Sequence, residues 1–493
     1  MQNKLLLSKE SVFLLLVTIF LSYYISPFFL NPQYDRQVFI YGSMTILKGG
    51  IPYRDFFDHK PPLIYLILAI GWPLKWWGIW MVGVLSKWIA AVFLYKTAVK
   101  YDVALKLLPP LGFLIILLDP FLICMGSFTR EYSAVFLAIA FSIMLLNPGK
   151  KYILSGFLFG LTFFTQQEEI LALLPFTVWH LCTHENTRPQ FHWKLFFMRT
   201  LQMLAGFTLI ALPLVVWLLS KSALHAFWEQ AFLFNFFSYP PNTELSARIV
   251  KALLLIYHTR VGFFIAFFIF LHLFAFYKTR RLSVHLTALV TILLFSIYKI
   301  FFTRLGENSD AQHYLLGFSA IFAISIILLQ HELTLLLKNT FWKIAVIAGS
   351  FMCNWFLWEN ALTSKYTVLE DKNHLRSKQI LPLLSAVRNK DGQLYVFRNT
   401  SLILLYNELN TLSPSKWIFT TMYDQHLKFD LDRKVMKEII HALDENKTRY
   451  IVDMSGHDPL NSAEMQKQWD AYMLLRYKAI AATSEYKVLE RIR

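Results

Sequence analysis

Long runs of apolar residues alternate with short polar segments along most of this 493-residue chain. A helix needs about 18 or more apolar residues in a row to cross the roughly 30 Å hydrocarbon core of a bilayer. The run at 11–30 is too long for the core of a signal peptide and is read as a retained first span. The pattern predicts eleven membrane-spanning helices, at about 11–30, 80–98, 108–127, 131–147, 152–166, 169–183, 198–220, 253–277, 283–302, 312–331 and 341–358. The short runs at 152–166 and 169–183 also fit a single tilted helix.

The pattern changes after residue 360, where charged positions become frequent and α/β alternation appears. "QLYVF" at 393–397 and "RYIVDM" at 449–454 are typical of buried strands, and "YKVLERI" of a last strand. Between the first two of these strands, Val435, Ile439, Ala442 and Leu443 form one apolar face, which indicates a helix. The predicted fold class is mainly α: a polytopic transmembrane helical bundle over 1–359 with a small α/β C-terminal extracytoplasmic domain over 360–493.

Composition supports a membrane protein and argues against a nucleic-acid partner. Hydrophobic residues make up 56% of the chain and charged residues only 16%, against about a quarter charged in soluble proteins. The net charge is +16, but residues from 360 onward hold 20 basic and 16 acidic side chains, which leaves +12 for the apolar part. That charge lies largely in short loops, where it sets the orientation of spans. The three cysteines show no disulfide framework and no metal-site spacing.

The positive clusters predict the orientation of the chain. With the N-terminus in the cytoplasm, each cluster falls on the cytoplasmic side: those beginning at Lys4, Lys96, Lys150, Arg188 and Lys278. The segment from about 31 to 79 and the C-terminal region then lie outside the cytoplasm. We expect a multi-pass protein of a plasma (inner) membrane.

The first outer segment contains "GIPYRDFFDHKPPLIY" at 50–65, which is unusually rich in ionisable side chains. A helix from about Asp35 to Leu47 is predicted before it, ended by Gly49 and Gly50. Asp35 then lies in the first turn, where the helix dipole favours its charged form. The Trp-rich stretch that follows, up to about residue 80, is typical of an interfacial helix.

Other ionisable clusters are predicted on the same side of the membrane. They include Arg130 and Glu131, the run Gln166 to Glu169, the outer loop 221–250 with Trp228, Glu229, Gln230 and Asn235, and the late group Arg304, Asp310, His313 and Tyr314. Acidic groups at a membrane face are costly unless they are solvated or paired, so they indicate a site. One carboxylate that accepts a proton, with cations that stabilise a departing phosphate, would suit sugar transfer from a phosphate-linked lipid carrier.

The same residues carry a family resemblance. "YDRQVFIYGSMTILKGGIPYRDFFDHKPPLIY" resembles the first outer loop of the polytopic, GT-C type glycosyltransferases that use polyprenyl-phosphate sugars. These include the protein O-mannosyltransferase-like group and the aminoarabinose transferases of bacterial lipid A. "REYSAVF", "GFLFGLTFFTQQE" and "HYLLGFSAIFA" are similar to later motifs of the family, in order, over about residues 10–360.

The resemblance implies roles for particular residues. Asp35 would be the catalytic base or an acceptor-side carboxylate, Glu131 the second acidic residue, and His59 and Lys60 would lie near the carrier phosphate. Many relatives have a lysine where this chain has Gln166, so Arg130, Arg304 or His313 would have to meet that phosphate instead. The predicted substrate contacts are Tyr53, Asp55, Asp58, His59, Lys60, Arg130, Gln167, Glu168, Arg304, His313 and Tyr314.

Two other functions and several details stay open at this point. A transporter or flippase of lipid-linked sugars would carry charges near mid-membrane, whereas the predicted spans read as free of charge there. An O-antigen-type ligase or polymerase would carry its long outer loop late in the membrane part. Asp55, Asp58 and Glu131 are candidate oxygen ligands for a divalent cation. The expected partners are a polyprenyl-phosphate sugar, the bilayer, and a lipid, glycan or protein acceptor.

Overall fold

The computed structural model is mainly helical. It describes residues 8–29, 34–119, 122, 126, 128–146, 151–182, 193–238, 244–258, 265–266, 269–270, 272–274, 276–277, 282–302, 314–336, 372–398, 400–418, 432–454 and 463–492. The chain forms two compact units. The first unit contains Met1–Phe29, Ile79–Leu214 and Pro241–Thr367, and the second contains Leu30–Gly78, Val215–Pro240 and Val368–Arg493.

The α-helices are numbered here in chain order. They are α1 (Lys9–Leu21), α2 (Tyr34–Leu47), α3 (Leu63–Gly71), α4 (Lys75–Lys100), α5 (Leu108–Leu117), α6 (Thr129–Leu146), α7 (Lys151–Phe163), α8 (Leu174–Cys182), α9 (Trp193–Ser220), α10 (Leu224–Trp228), α11 (Leu245–His258), α12 (Leu282–Phe302), α13 (Phe318–Leu336), α14 (Lys372–Ile380), α15 (Leu404–Leu409), α16 (Asp432–Glu445) and α17 (Ala463–Arg476).

Among the described residues, three stretches are long and apolar enough to cross a membrane: Leu63–Lys100, Thr129–Leu146 and Trp193–Ser220. Shorter apolar helices occur at Leu108–Leu117, Lys151–Phe163, Leu286–Lys299 and Phe318–Leu329. These stretches overlap predicted runs, but Leu63–Lys100 also includes residues predicted as an interfacial helix before the span at 80–98. The run at 341–358 lies outside the described residues. The count of eleven spans stays a prediction.

The predicted runs at 152–166 and 169–183 form two separate helices. α7 ends at Phe163, and a 3₁₀ segment from Gln167 to Leu173 leads into α8. Between them Gln166 is extended, with φ −157° and ψ 100°. The alternative of a single tilted helix over 152–183 is therefore wrong, because this backbone geometry interrupts the helical hydrogen bonds.

The Trp-rich stretch also differs in detail from the expectation. α3 ends at Gly71, and a 3₁₀ turn covers Trp72–Leu74. At Lys75 the backbone turns to φ +54°, and the ammonium lies 4.3 Å from the centroid of the Trp72 ring. The helical direction thus changes between Trp72 and Lys75, earlier than the predicted start of the span at residue 80.

Glycines allow α7 and α9 to pack closely in the first unit. A Cβ at Gly156 would lie 2.0 Å from the Met203 carbonyl oxygen, and one at Gly206 would lie 1.9 Å from that of Ile153. Gly160 also faces α9, and a Cβ there would lie 3.3 Å from the Phe207 carbonyl oxygen. Small residues at such crossings let helix backbones approach within van der Waals contact, which drives helix association in lipid. The Gly-x-x-x-Gly pattern therefore serves packing.

Replacing Gly206 by Ala is expected to destabilise the first unit by about 1–3 kcal/mol, the usual range for overpacking, because the methyl group meets a backbone carbonyl. The thermal unfolding midpoint of the purified protein in detergent measures this. The control is Ala205→Leu, since Ala205 is exposed on the same helix. Equal midpoints for Gly206→Ala and the control would contradict the close crossing.

The second unit contains a four-stranded sheet formed by the C-terminal region. Its strands are β1 (Leu394–Phe397), β2 (Tyr450–Asp453), β3 (Tyr477–Ala482) and β4 (Lys487–Arg491). The order is β1-β2-β4-β3, with β1 and β2 parallel and the other pairs antiparallel. Three of the strands were predicted, and β3 was not. On α16, Val435, Ile439 and Leu443 are buried, as their spacing predicts.

The first outer segment packs against the C-terminal region within this unit. The Phe57 amide donates to the Lys416 carbonyl oxygen at 2.9 Å, and the Phe57 ring stacks on Trp417 at 5.4 Å between centroids. The Asn407 amide donates to Gln37 Oε1 at 2.7 Å. A hydrophobic core that includes Phe57, Tyr395, Trp417 and Trp469 joins these elements.

Candidate functional site

The helix that carries Asp35 is the predicted one. α2 begins at Tyr34, and Asp35 lies in its first turn with a half-buried side chain. The helix ends where Gly49 adopts φ +86° and the Gly50 amide donates to the Thr45 carbonyl oxygen at 2.8 Å. This is the glycine-mediated end that the sequence predicts. Gly42 faces α3, since a Cβ there would lie 2.6 Å from Tyr65 Cδ1.

Asp55 closes the turn that follows α2. Its Oδ2 accepts from the Ile51 amide at 2.7 Å, and its Oδ1 accepts from Arg54 Nε at 2.7 Å. Partial burial raises the pKa of Asp55, but the hydrogen bonds from Arg54 and the Ile51 amide outweigh this and leave the pKa below its ordinary value. Asp55 is therefore ionised and engaged in the turn, and its contact with substrate stays a prediction.

Asp58 organises the end of the same turn. Its Oδ1 accepts from the amides of His59 at 2.6 Å and Lys60 at 3.3 Å. The Tyr53 hydroxyl donates to the Lys60 carbonyl oxygen at 2.7 Å, while Tyr53 itself adopts φ +72°. Asp58, His59 and Lys60 are 5%, 6% and 8% exposed. This buried turn, residues 53–60, is called the charged turn below, and it fixes the backbone from which His59 and Lys60 project.

Burial and the neighbouring charges set the pKa of His59 in the charged turn. Burial lowers the pKa of His59, and the nearby Lys60 charge lowers it further. The carboxylates of Asp58 and Asp35 act in the opposite direction, without overcoming the burial. Asp35 thus lies close enough to the imidazole for a direct electrostatic interaction. The structure brings together Asp58, His59 and Lys60 through the hydrogen bonds of Asp58, and the charge of Asp35 acts on the pKa of His59.

The lowered pKa of His59 predicts a pH dependence of stability. The unfolded chain, where histidine titrates near pH 6.5, takes up a proton before the folded chain does. Stability should therefore fall as the pH drops through about 6.5. We expect a larger loss of thermal midpoint between pH 7.5 and 5.5 for the native chain than for His59→Gln. Equal losses in the two proteins would show that His59 is not the group responsible.

A second cluster of charged side chains lies in the first unit. Arg130 Nη2 lies 2.9 Å from Glu168 Oε1, and Arg130 Nε lies 3.4 Å from Glu169 Oε1. The guanidinium carbon is 3.7 Å from the centroid of the Tyr314 ring, which places the cation over the aromatic face. The predicted grouping of Arg130, Glu168 and Tyr314 is thus present.

Lys299 of α12 completes this cluster and was not identified from the sequence. Its Nζ pairs with Glu169 Oε1, and both side chains are almost fully buried. The other oxygen of Glu169 lies against Gly317, where a Cβ would approach it to 2.3 Å. Two cations thus face two carboxylates, so the four side chains are close to neutral together. Such pairing is what makes buried charge tolerable. We call Arg130, Glu168, Glu169, Lys299 and Tyr314 the arginine cluster.

Glu131 pairs with Lys87 of α4, and both side chains are 1% exposed. The second Glu131 oxygen accepts from the Phe128 amide at 3.4 Å, at the start of α6. Arg130, the neighbouring residue in the sequence, pairs with Glu168. The expectation that the span at 80–98 is free of charge midway is wrong, since Lys87 lies there. A lone lysine inside an apolar run was the available signal.

The remaining predicted residues fall into two groups. Gln166 is buried, accepts from the Thr129 hydroxyl and donates to Glu168, so it extends the arginine cluster. Gln167 is half-buried in the adjoining 3₁₀ segment. Arg304 and His313 lie outside the described residues, as does Asp310.

No metal-binding group is found in the described part of the chain. Among those residues, no three His, Cys, Asp or Glu side chains lie together in a way that could hold a metal ion. Asp55 is engaged by Arg54 and the Ile51 amide, and Glu131 is engaged by Lys87.

Comparisons with known proteins give a fold. No family model matches the sequence, and no curated protein matches it. Among solved structures, ArnT from Cupriavidus metallidurans bound to undecaprenyl phosphate matches with a TM-score of 0.53 at 12% identity, over 98% of this chain and 97% of that one. The apo state of the same protein matches with a TM-score of 0.43 at the same identity and coverage. At this identity the first likeness shows the fold alone. It confirms the predicted GT-C type fold along nearly the whole chain.

Proposed function

We propose that this chain, with the fold of a GT-C type transferase, is an integral-membrane glycosyltransferase. It would move a sugar from a polyprenyl-phosphate carrier onto a lipid, glycan or protein acceptor at the outer face of an inner membrane. The likeness to a transferase that binds undecaprenyl phosphate supports this donor class. The observation that carries the proposal is the charged turn, in which Asp58 accepts from the amides of His59 and Lys60, because His59 and Lys60 are residues that the family resemblance assigns to the carrier phosphate.

In the proposed reaction Asp35 is the general base. The acceptor's hydroxyl or amine attacks the anomeric carbon of the donor sugar, and its proton passes to the Asp35 carboxylate. The bond between the anomeric carbon and the phosphate oxygen breaks, and polyprenyl phosphate leaves with the electron pair. Lys60, and His59 through its ring nitrogens, would bind that phosphate, since preorganised cations and donors stabilise developing negative charge.

The arginine cluster has a supporting role in this proposal. Arg130 and Lys299 each already face a carboxylate, so their charges are largely balanced by Glu168 and Glu169. Glu131 stays predicted as the second acidic residue of the reaction, held by Lys87 in the first unit.

Several finer statements belong to the same proposal. The chain would span the membrane about eleven times, with domains at 1–359 and 360–493 and the C-terminal one outside the cytoplasm. A polar group such as Tyr53, whose hydroxyl holds the Lys60 carbonyl, would shape the site rather than react.

A direct assay tests the proposal. The purified protein is placed in lipid nanodiscs with undecaprenyl-phosphate sugars of several kinds, and free undecaprenyl phosphate is measured by mass spectrometry. We expect release that depends on the protein and on an added lipid, glycan or peptide acceptor. No release with any donor would contradict the proposal. Uptake of a lipid-linked sugar into proteoliposomes without transfer would instead support the transporter alternative.

A further inference from the structure

The segment opposite the charged turn has an unusual backbone. Residues Glu229–Ser238 form a ten-residue π-helix directly after α10. In a π-helix the backbone bonds run from residue i to i+5, and such segments are rare and often occur at functional sites. The sequence marks Gln230 and Asn235 only as polar residues of an outer loop.

Gln230 holds the charged turn at two points. Its Nε2 donates to the Tyr53 carbonyl oxygen at 2.8 Å, and its Oε1 accepts from the Asp58 amide at 3.3 Å. The side chain is 8% exposed. One buried side-chain amide thus joins Tyr53, at the beginning of the turn, to Asp58, which precedes His59. Without Gln230, the Tyr53 carbonyl and the Asp58 amide would lose these hydrogen bonds in a buried environment, which costs free energy.

Asn235 holds the next residue of the same turn. Its Nδ2 donates to the His59 carbonyl oxygen at 2.9 Å. The same nitrogen also donates to the Ala231 carbonyl oxygen at 2.8 Å, which fixes the side chain on its own helix. Gln230 and Asn235 therefore bind consecutive residues of the turn, through the amide of Asp58 and the carbonyl of His59.

The π-helical register explains how both amides reach the turn. On an α-helix, with 3.6 residues per turn, positions five apart point about 140° away from each other. With bonds from i to i+5, residue 235 lies nearly above residue 230, so both face one side. The same segment packs aromatic rings on the turn: Phe234 lies 5.4 Å from Phe57 and 6.1 Å from His59 between ring centroids.

We infer that Gln230 and Asn235 are positioning residues that hold His59 and Lys60 for the phosphate of a polyprenyl carrier. The identity of that ligand rests on the proposed function. The positioning of the turn does not rest on that function, since it consists of hydrogen bonds from Gln230 and Asn235 to the backbone of residues 53–59. The two amides touch no reacting atom in this scheme. They act by fixing the peptide groups from which the two binding side chains project.

The experiment measures local opening and lipid binding in the full-length protein in nanodiscs. Amide hydrogen exchange is followed in peptides covering 53–60, and the Kd for undecaprenyl phosphate is determined for the native chain, Gln230→Leu and Asn235→Leu. Asn235→Asp is a conservative second variant, because it keeps the shape and loses the donor to His59. Gln468→Leu, at an exposed position of helix α17 in the same unit, is the matched control.

We expect exchange at 53–60 to become about tenfold faster and the Kd about tenfold larger in each Gln230 and Asn235 variant, as for loss of roughly one hydrogen bond. The strands β1 and β2 should exchange as before. Unchanged exchange at 53–60 and unchanged Kd would overturn the inference, and so would faster exchange throughout the second unit. A third result separates the two proposals: the native chain does not bind undecaprenyl phosphate, but exchange at 53–60 is still faster in the variants. The proposed function then fails, and the positioning of the turn by Gln230 and Asn235 is retained.

Discussion

Asp35→Asn is expected to lower the rate of sugar transfer by about 10²–10⁴-fold, the contribution typical of a general base. Asparagine has nearly the shape of aspartate, but its amide does not accept the proton of an attacking hydroxyl or amine. The residue lies in the first turn of α2 with a half-buried side chain, so the substitution changes charge more than packing. The loss should appear in kcat, while KM for the lipid-linked donor changes little.

Two comparisons make the Asp35 result specific. Glu464→Gln makes the same kind of change in the first turn of α17, at an exposed position, and should leave transfer intact. Equilibrium binding of undecaprenyl phosphate should survive in Asp35→Asn. Transfer at the native rate in this variant would remove Asp35 as the base, whatever the donor is.

Glu169→Gln is expected to destabilise the first unit by about 3–5 kcal/mol, the cost of leaving one member of a buried ion pair uncompensated. Glu169 faces both Lys299 and Arg130, and the side chains of Glu169 and Lys299 are 0% and 2% exposed. Losing its charge removes the carboxylate that pairs with Lys299, while Arg130 keeps Glu168. Lys299→Met should cost less, because Glu169 then keeps Arg130. Denaturant or thermal unfolding of the purified protein, together with its yield, measures both variants.

The double variant Glu169→Gln with Lys299→Met distinguishes pairing from packing. Removing both charges should recover part of the stability lost in Glu169→Gln, since no unpaired ammonium then remains. Lys106→Met serves as the control, because its contact with Asp102 is exposed and 4.0 Å long and exposed pairs contribute little. Additive losses in the double variant would contradict the direct pairing of Lys299 with Glu169.

The elements with strong local signals could be predicted from the sequence. α2 was predicted with its end because Gly49 and Gly50 are the residues that such an end needs. β1, β2 and β4 have the buried apolar residues of interior or paired strands. β3 was missed because four of its six residues are exposed and the edge position gives no alternation to read. The break at Gln166 was left open, since its extended backbone follows no sequence rule.

The pairing of buried charges could not be predicted, because it depends on contacts between distant parts of the chain. Lys87 and Glu131 are 44 residues apart, and Glu169 and Lys299 are 130 apart. A single lysine in an apolar run gives no indication of its partner. Residues close in sequence were different: Asp58, His59 and Lys60 were expected together, and the hydrogen bonds of Asp58 hold them in one turn.

A structure of the protein with undecaprenyl phosphate tests the central claim most directly. The claim is that the charged turn beside Asp35 is the place where the carrier phosphate sits. We expect phosphate density within about 3 Å of Lys60 Nζ or a His59 ring nitrogen, the range of a charge-assisted hydrogen bond, with the Asp35 carboxylate facing the sugar position. Phosphate density bound only at the arginine cluster, or away from residues 35 and 53–60 altogether, would contradict the account.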